Sequence, residues 1–326
     1  MGGRNTKGPK VLSTRERTRA ERALPVDLDY AAAEDAPLRA ALAWARAGER
    51  CALVTIVGVE GASPRPLGAQ MAVHESGDWV GYISGGCLEA AVAHEALAAL
   101  AEGRSRVERY GRGSKYFDIV LPCGSGIDLL IDVAPDADAL ARTADALDRR
   151  QPASLSLNLP DGSKFERRYV PALKIIAAGR GPAVAALLDL AAAMGLKTAA
   201  LSPDESVGAL ARGRWEEARS LTHPEDIVDL GGDAYSAVVL LFHDHHWETE
   251  LLASAVKSDC FYIGAMGSRA THAQRVVRLA ERGLDDDEIG RVRGPVGLFS
   301  HARRPGDLAL SVLAEIVGEF RERYGA

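Results

Sequence analysis

Cysteine is sparse, with four residues in 326, at positions 51, 87, 123 and 260. No two form a C-x-x-C pair, which argues against both a zinc ribbon and a disulfide scaffold and places the chain in a reducing compartment, expected to be the cytoplasm. Long apolar runs are missing too. None approaches the roughly 18 residues that a membrane-spanning helix needs. The first 25 residues are basic but lack the apolar centre of a signal peptide, and Glu16 and Glu21 count against a transit peptide. Basic charge is not in surplus: 39 Lys and Arg against 45 Asp and Glu leave a formal net charge of −6. With no basic stripe carrying interleaved aromatics, neither nucleic acid nor a membrane is an expected partner. Internal repeats and low-complexity segments are also absent.

What remains is an ordinary globular composition, 47% hydrophobic and 26% charged, over a length that predicts two domains. Residues 1–27 read as a basic, disordered tail and 28–150 as a cysteine-bearing α+β domain with a mixed sheet. Residues 151–171 read as a linking hairpin, and 172–326 as a Rossmann-like, doubly wound parallel-sheet domain, so the class is α/β. In the first domain a helix is expected over 37–47, with Asp35 as N-cap and Gly48 as the stop. Strands are expected in CALVTIVGV (51–59), in the hairpin QMAVHE and WVGYIS, and in RVERYG (106–111), FDIVL (117–121) and IDLLIDVA (127–134). From Leu173 onward strands and helices alternate. AVVLLF (237–242) and DCFYIGA (259–265) are continuous apolar runs of the kind that parallel sheets bury.

Chemistry-bearing residues concentrate in glycine-rich loops. Cys87 follows Gly85 and Gly86 at the mouth of a predicted helix, where free amides and the helix dipole favour thiolate; a small buried residue is the alternative. Cys123 stands between Pro122 and Gly124 in LPCGSGID. Two cysteines in glycine loops of one domain suit a soft metal, a sulfur relay or a thiolate-rich cofactor, or are two unrelated buried thiols. Cys51 and Cys260 lie in strands and read as core. Arg65, held between prolines, is either a bidentate phosphate ligand or a solvated loop arginine.

In the second domain LKIIAAGRGPA stands where a dinucleotide fingerprint would. Ala177, Gly179 and Pro182 occupy its three glycine positions, so only one matches, and the ribose acid is replaced by Ser202 with Asp204 two residues on. Gly179 and Arg180 still offer an anion site at a helix start. His243 and Asp244 follow the strand AVVLLF, at the end of a parallel strand where ligands bind. Gly264, Gly267, Ser268 and Arg269 in GAMGSRATH make a second anion site. HDHHWE has no spacing that supports a metal site.

These segments together resemble the XdhC/CoxI family of accessory proteins for molybdenum hydroxylases, from about Ala41 to Arg321. The resemblance is carried by SPRPLGAQM, GYISGGCLE, LPCGSGID, FYIGAMGSRATHAQR and GPVGL followed by ARRPGDLALSVLAEI. It implies a protein that binds the molybdenum cofactor (molybdopterin, with or without an attached nucleotide), supports exchange of its terminal oxo ligand for sulfide, and delivers it to an apoenzyme such as xanthine dehydrogenase. Cys87 and Cys123 match the family's motif cysteines, which makes them the expected contacts to molybdenum or its sulfur ligands. A cysteine desulfurase is the implied sulfur source and a homodimer the expected assembly. The chain departs from the family at AAGR, where Gly-Ala-Gly-His is usual, and at GLFSHARRP, where Asp-Ile-Gly usually follows the leucine. A non-enzymatic chaperone is thus the leading reading. An NAD(P)-dependent oxidoreductase is the alternative, disfavoured by the incomplete fingerprint, and an assembly factor that holds no cofactor would not need the two cysteines.

Overall fold

The computed structural model describes residues 33–63, 65–86, 88–114, 124, 126–211, 213–224, 229–299 and 302–325. The basic tail, Cys87, Cys123 and the strand expected over 117–121 lie outside the described residues. The chain divides into two units, one comprising residues up to Ala146 together with 153–169, the other 147–152 together with 170 onward.

The first unit opens with α1 (Ala36–Arg46), preceded by Asp35 and followed by Gly48 at φ +75°. Asp35 does not cap it through its side chain. Its ψ of 0° departs from the extended backbone from which a carboxylate reaches the first free amides, and it accepts instead from Arg39 Nε at 2.7 Å, one turn on. Strands β1 (Cys51–Glu60), β2 (Gln70–His74), β3 (Trp79–Gly81), β4 (Arg106–Gly111) and β5 (Gly126–Asp132) form one sheet in the order β3-β2-β1-β5-β4. Every pairing is antiparallel, where the sequence suggested a mixed sheet. A nine-residue connection (61–69) and a four-residue turn (75–78) fold β1 to β3 as a meander. Helix α2 (Glu89–Glu102), closed by Gly103 at φ +66°, then carries the chain to the far edge, and β5 returns between β4 and β1.

Alternation along β1 puts Ala52, Val54 and Ile56 on the face covered by Val92, Ala96 and Leu100 of α2, all at most 5% exposed. A helix that the sequence reading missed, α3 (Ala137–Asp148), follows β5. The predicted hairpin forms as β6 (Ala153–Asn158) and β7 (Lys164–Tyr169), and the buried Tyr169 hydroxyl donates to Gln70 Oε1 of β2 within the first unit.

The second unit is a six-stranded, wholly parallel sheet of β8 (Lys174–Gly179), β9 (Lys197–Ser202), β10 (Glu217–Ser220), β11 (Ser236–Leu241), β12 (Tyr262–Ala265) and β13 (Val292–Arg293). Its order is β10-β9-β8-β11-β12-β13. Every residue of β8 and β11 is buried, which explains the unbroken apolar run of β11, while β8 also buries Lys174, whose Nζ donates to Glu217 Oε1 at 2.9 Å. Helices cover both faces. On one, α4 (Pro182–Ala193) and α9 (Pro305–Tyr324) bury Leu187, Leu188, Val312 and Ile316 against Ile175 and Val239. On the other, α6 (His245–Ala255) and α7 (Arg269–Glu281) bury Trp247, Leu251 and Leu279 against Ile176, Val238 and Ile263. Shorter helices α5 (Glu205–Ala211) and α8 (Asp286–Gly290) complete the unit. The strand order reverses between β8 and β11, the point at which open α/β sheets open a crevice beyond their carboxyl ends.

Candidate functional site

Register alone gathers the first unit's motifs at one end of its sheet. β1 ends at Glu60 beside Gly126, the first residue of β5, and Gly126 also faces Gly111, the last of β4. β2 starts at Gln70, opposite Thr55, while Met71 pairs with Gly81 at the end of β3. The chain therefore leaves the sheet at this one end after Glu60, Gly81 and Gly111, and Arg65, Gly85, Gly86 and Gly124 all lie in loops at that end. The glycines are exposed; Gly86 has φ +102° and Gly124 φ +65°, and a Cβ built on any of the three meets nothing within 4 Å. Arg65 donates from Nη1 to the Tyr82 hydroxyl at 3.1 Å, and its Cζ lies 4.2 Å over the Tyr82 ring, at the head of the loop that carries Gly85 and Gly86. A cavity of about 350 Å³ opens at the sheet's other end, lined by Ser105, Asp132, Leu155 and Leu157 among others, and none of the sequence-predicted site residues lines it.

Two charged residues that sequence reasoning passed over fix this edge. Glu89, the first residue of α2, is 5% exposed, and its carboxylate turns back into the loop. It accepts from the amides of Ile83, Ser84 and Leu88 at 3.2, 2.8 and 3.2 Å and from the Ser84 hydroxyl at 2.7 Å. The loop amides of Ile83 and Ser84 are thereby satisfied, and the Leu88 amide is shared with the Ser84 hydroxyl at 3.1 Å. Arg109 of β4 does the same for the other loops. It donates to both Asp128 oxygens at 3.1 Å, to the Arg112 carbonyl at 2.7 Å and to Glu60, tying the site ends of β4, β5 and β1. Gly126 is needed for this packing, because a Cβ there would lie 2.6 Å from Arg109 Nη2 and 2.8 Å from the Arg112 carbonyl oxygen. The signal for Glu89 was present, since it is the last letter of GYISGGCLE.

The two cysteines read as core are buried, Cys51 at 4% and Cys260 at 2% exposure. Burial pushes the Cys51 thiol up to about 11, with the charge of Asp132 adding to it. Burial likewise raises Cys260. At pH 8 a thiol with a pKa near 11 is only about one part in a thousand thiolate, the nucleophilic form. Iodoacetamide at that pH is therefore expected to modify Cys87 ahead of Cys51 and Cys260, as peptide mass spectrometry over time would show. Equal, slow labelling of all four would make Cys87 inert.

In the second unit Gly179 ends β8 opposite Leu241, at the reversal point. Its hydrogen faces the Leu241 carbonyl oxygen, which a Cβ would approach to 2.6 Å. Arg180 is exposed, and Gly181, at φ +72°, turns the chain into α4 with Pro182 in its first turn. His243 and Asp244 follow β11 and are exposed, and Asp244 caps α6 by accepting from the His246 amide at 3.0 Å. Gly264 is buried within β12. Gly267, Ser268 and Arg269 are exposed, and the Ser268 hydroxyl is committed to capping α7, accepting from Thr271 N–H at 3.0 Å. The sheet thus gathers these residues along one carboxyl edge, with the exception that Gly264 lies inside a strand. Among the described residues no group of three or more His, Cys, Asp or Glu side chains could hold a metal.

Beneath the GAMGSR loop lies a buried ion pair that the sequence did not reveal. Arg275 and Glu248 have side chains 1% and 2% exposed; Nε donates to Oε1 at 2.8 Å and Nη2 to Oε2 at 3.0 Å. Nη2 also donates to the Met266 carbonyl at 2.7 Å, which ties the loop to α6. His272 Nδ1 lies 3.1 Å from Arg275 Nη1. A guanidinium only donates, so Nδ1 accepts and the neutral ring carries its proton on Nε2. Burial, reinforced by the Arg275 charge and opposed by Glu248, holds the His272 pKa below its usual 6.5.

Comparison with known proteins agrees with this architecture. A family model described as the XdhC Rossmann domain matches residues 175–316, and one described as the XdhC and CoxI family matches 44–111. The chain is 37% identical over 298 residues to the molybdenum cofactor insertion chaperone PaoD of Escherichia coli, with 86% of each chain covered. It is 26% identical to the uncharacterized Escherichia coli protein YqeB over 82% of this chain and 43% of the other. A crystal structure from Bacillus halodurans, described as a xanthine dehydrogenase, shares the fold, with a TM-score of 0.71 and 22% identity over 88% of this chain and 96% of that one. An antiparallel cysteine-bearing unit joined to a Rossmann unit, matched along both parts and at this identity, makes the chain a member of the XdhC and CoxI family.

Proposed function

We propose that this protein is a molybdenum cofactor chaperone, which receives the cofactor, shelters it while sulfide replaces its terminal oxo ligand, and passes it to a molybdenum hydroxylase apoenzyme. The observation that carries the reading is the 37% identity, over 86% of both chains, to a molybdenum cofactor insertion chaperone. The edge of the first unit supports it. Open space beside Gly85, Gly86 and Gly124 admits a flat ligand close to the backbone, and Arg65 offers a fixed cation for a phosphate. Cys87 and Cys123, carried on two of the loops that leave this edge, would meet the molybdenum or its sulfur ligands. The cofactor itself supplies oxo, sulfido and dithiolene chemistry; the chain's part is to bind and orient it and to exclude water. In the second unit Gly179, Arg180, His243, Asp244, Gly267, Ser268 and Arg269 are a separate proposed edge for an anion such as a phosphate or nucleotide. A cysteine desulfurase would supply the sulfur. No helix among the described residues is long and apolar enough to cross a membrane.

The test is cofactor retention. Purified protein incubated with molybdenum cofactor is expected to keep about one molybdenum per chain, read by elemental analysis and by fluorescence of the oxidised pterin. Cys87→Ser and Cys123→Ser are each expected to lower that occupancy without changing the circular dichroism spectrum. Unaltered retention in both variants would make the thiols structural and remove the cysteines from the site.

A further inference from the structure

Arg65 does not stand alone. Arg167 of β7, in a hairpin that none of the motif segments includes, points its guanidinium at the same place. Arg65 Nη2 donates to Glu34 Oε1 at 3.0 Å, and Arg167 Nη2 lies 3.5 Å from Glu34 Oε2, so a single carboxylate bridges the two arginines. Both cations are held in position. Arg65 Cζ lies 4.2 Å over the ring of Tyr82 and Arg167 Cζ 4.7 Å over that of Tyr169. Arg167 also lies across Gly68 of the SPRPLGA loop, where a Cβ would stand 2.8 Å from its Cδ. The arginine side chains are only 18% and 17% exposed, whereas Glu34 is 56% exposed.

The donor count does not suit a carboxylate. Arg65 and Arg167 each keep a buried Nε–H with no acceptor. A carboxylate brings one charge and two oxygens, and both are used. A phosphate monoester brings up to two charges and three terminal oxygens, and it could span both forks while meeting the donors that Glu34 leaves over. We propose that Arg65 and Arg167 form a phosphate site on the first unit and that Glu34 is its displaceable occupant, a built-in competitor that leaves when a phosphate-bearing ligand arrives. The group recognised is the phosphate monoester; identifying its carrier as the pterin of the cofactor rests on the chaperone reading above. Holding such a site with an exposed carboxylate has two effects. It keeps the paired arginines from repelling one another when empty, and it sets a threshold below which stray anions are refused.

Calorimetric titration of the full chain with inorganic phosphate tests this directly. Glu34→Gln is expected to tighten phosphate binding by about three- to fivefold, the span of a half-exposed ion pair. Arg65→Met and Arg167→Met are each expected to weaken it by about tenfold or more, the worth of a charged hydrogen bond. The gain in Glu34→Gln is decisive, because misfolding cannot produce it, and thermal melts of the arginine variants check that they fold. No gain in Glu34→Gln, or wild-type phosphate affinity in both arginine variants, overturns the proposal. A second arm measures molybdenum retention in the same proteins. If Glu34→Gln raises retention and inorganic phosphate competes it away, the ligand is the pterin phosphate. If phosphate binding follows the arginines while retention does not, the site stands and takes a phosphate from another source. Failure of the phosphate effects with retention still dependent on Cys87 or Cys123 sinks this inference and leaves the chaperone reading in place.

Discussion

Replacing Glu248 by alanine is expected to lower the stability of the second unit by about 3–5 kcal/mol, the range found when one member of a buried ion pair is removed. For a unit of this size that corresponds to a fall in melting temperature on the order of 10 °C. The loss comes less from the missing attraction than from what remains: Arg275, 1% exposed, would keep its charge with only the Met266 carbonyl and His272 as partners. Arg278 Nη2, 3.7 Å from the same carboxylate, would add a second uncompensated charge. The exposed pair Arg282–Glu250 on the same two helices is the control. Arg282→Ala is expected to cost no more than about 1 kcal/mol. The double replacement Glu248→Met with Arg275→Met should recover much of the loss, since two apolar side chains of similar volume leave no buried charge. Differential scanning calorimetry of the variants decides it; a Glu248→Ala protein that melts like Arg282→Ala would show the pair to be incidental.

None of NAD⁺, NADH, NADP⁺ or NADPH is expected to bind with the affinity of a working dehydrogenase. Ser202, at the end of β9 where a ribose-binding acid is wanted, is 4% exposed, and its hydroxyl accepts from the Asp204 amide at 3.0 Å. Asp204 is engaged as well. Its Oδ1 accepts from the Ser206 amide at 2.9 Å, and hydrogen bonds from the Ser206 side chain and amide, assisted by the nearby charge of Arg180, hold its pKa below the usual carboxylate value. Pro182 in the first turn of α4 has no N–H to offer a pyrophosphate. Loss of one charged hydrogen bond costs about 1.5–3 kcal/mol, or roughly 10- to 150-fold in affinity. A site of about 1 μM would then weaken to roughly 10–150 μM. Isothermal titration with the four nucleotides checks this, and a low-micromolar constant for any of them would favour the oxidoreductase reading.

The parts of the fold legible in the sequence were those where local pattern and tertiary environment agree. β11 is buried on both faces and therefore spells an unbroken apolar run; Gly103 closes α2 because its φ of +66° suits glycine. Strand direction was not legible. Period-two alternation marks a strand and its buried face but not the sense of its neighbours, so the first sheet read as mixed. Helix α3 was missed although ADALARTADALD carries an apolar stripe, Leu140, Ala144 and Leu147 at i, i+4 and i+7, all of them buried.

For the candidate site, the motifs located the loops, but the side chains that hold them were hidden. Glu89, Glu248 and Arg275 are charged residues that a sequence presents as surface but the fold buries, and Arg109 and Arg275 find their carboxylate partners far along the chain. Arg275 meets Glu248 across 27 positions, and Glu34 meets Arg167 across 133. No window of sequence contains both members of such a pair.

The division of the chain has a bearing on modularity. The polypeptide passes between its two units three times, because 147–152 belongs to the second unit while the hairpin that follows belongs to the first. Arg150 lies in that early stretch, with φ +56°, and it grips Asp233 through both forks of its guanidinium while donating to the carbonyls of Ala172 at 2.9 Å and Tyr235 at 3.3 Å. The segment matched as a Rossmann domain begins at 175, beyond this clasp. A gene fragment cut at the hairpin's end would therefore carry the whole parallel sheet yet leave one of its fastenings behind on the other piece. Recombination that shuffled the two halves as cassettes would meet the same obstacle.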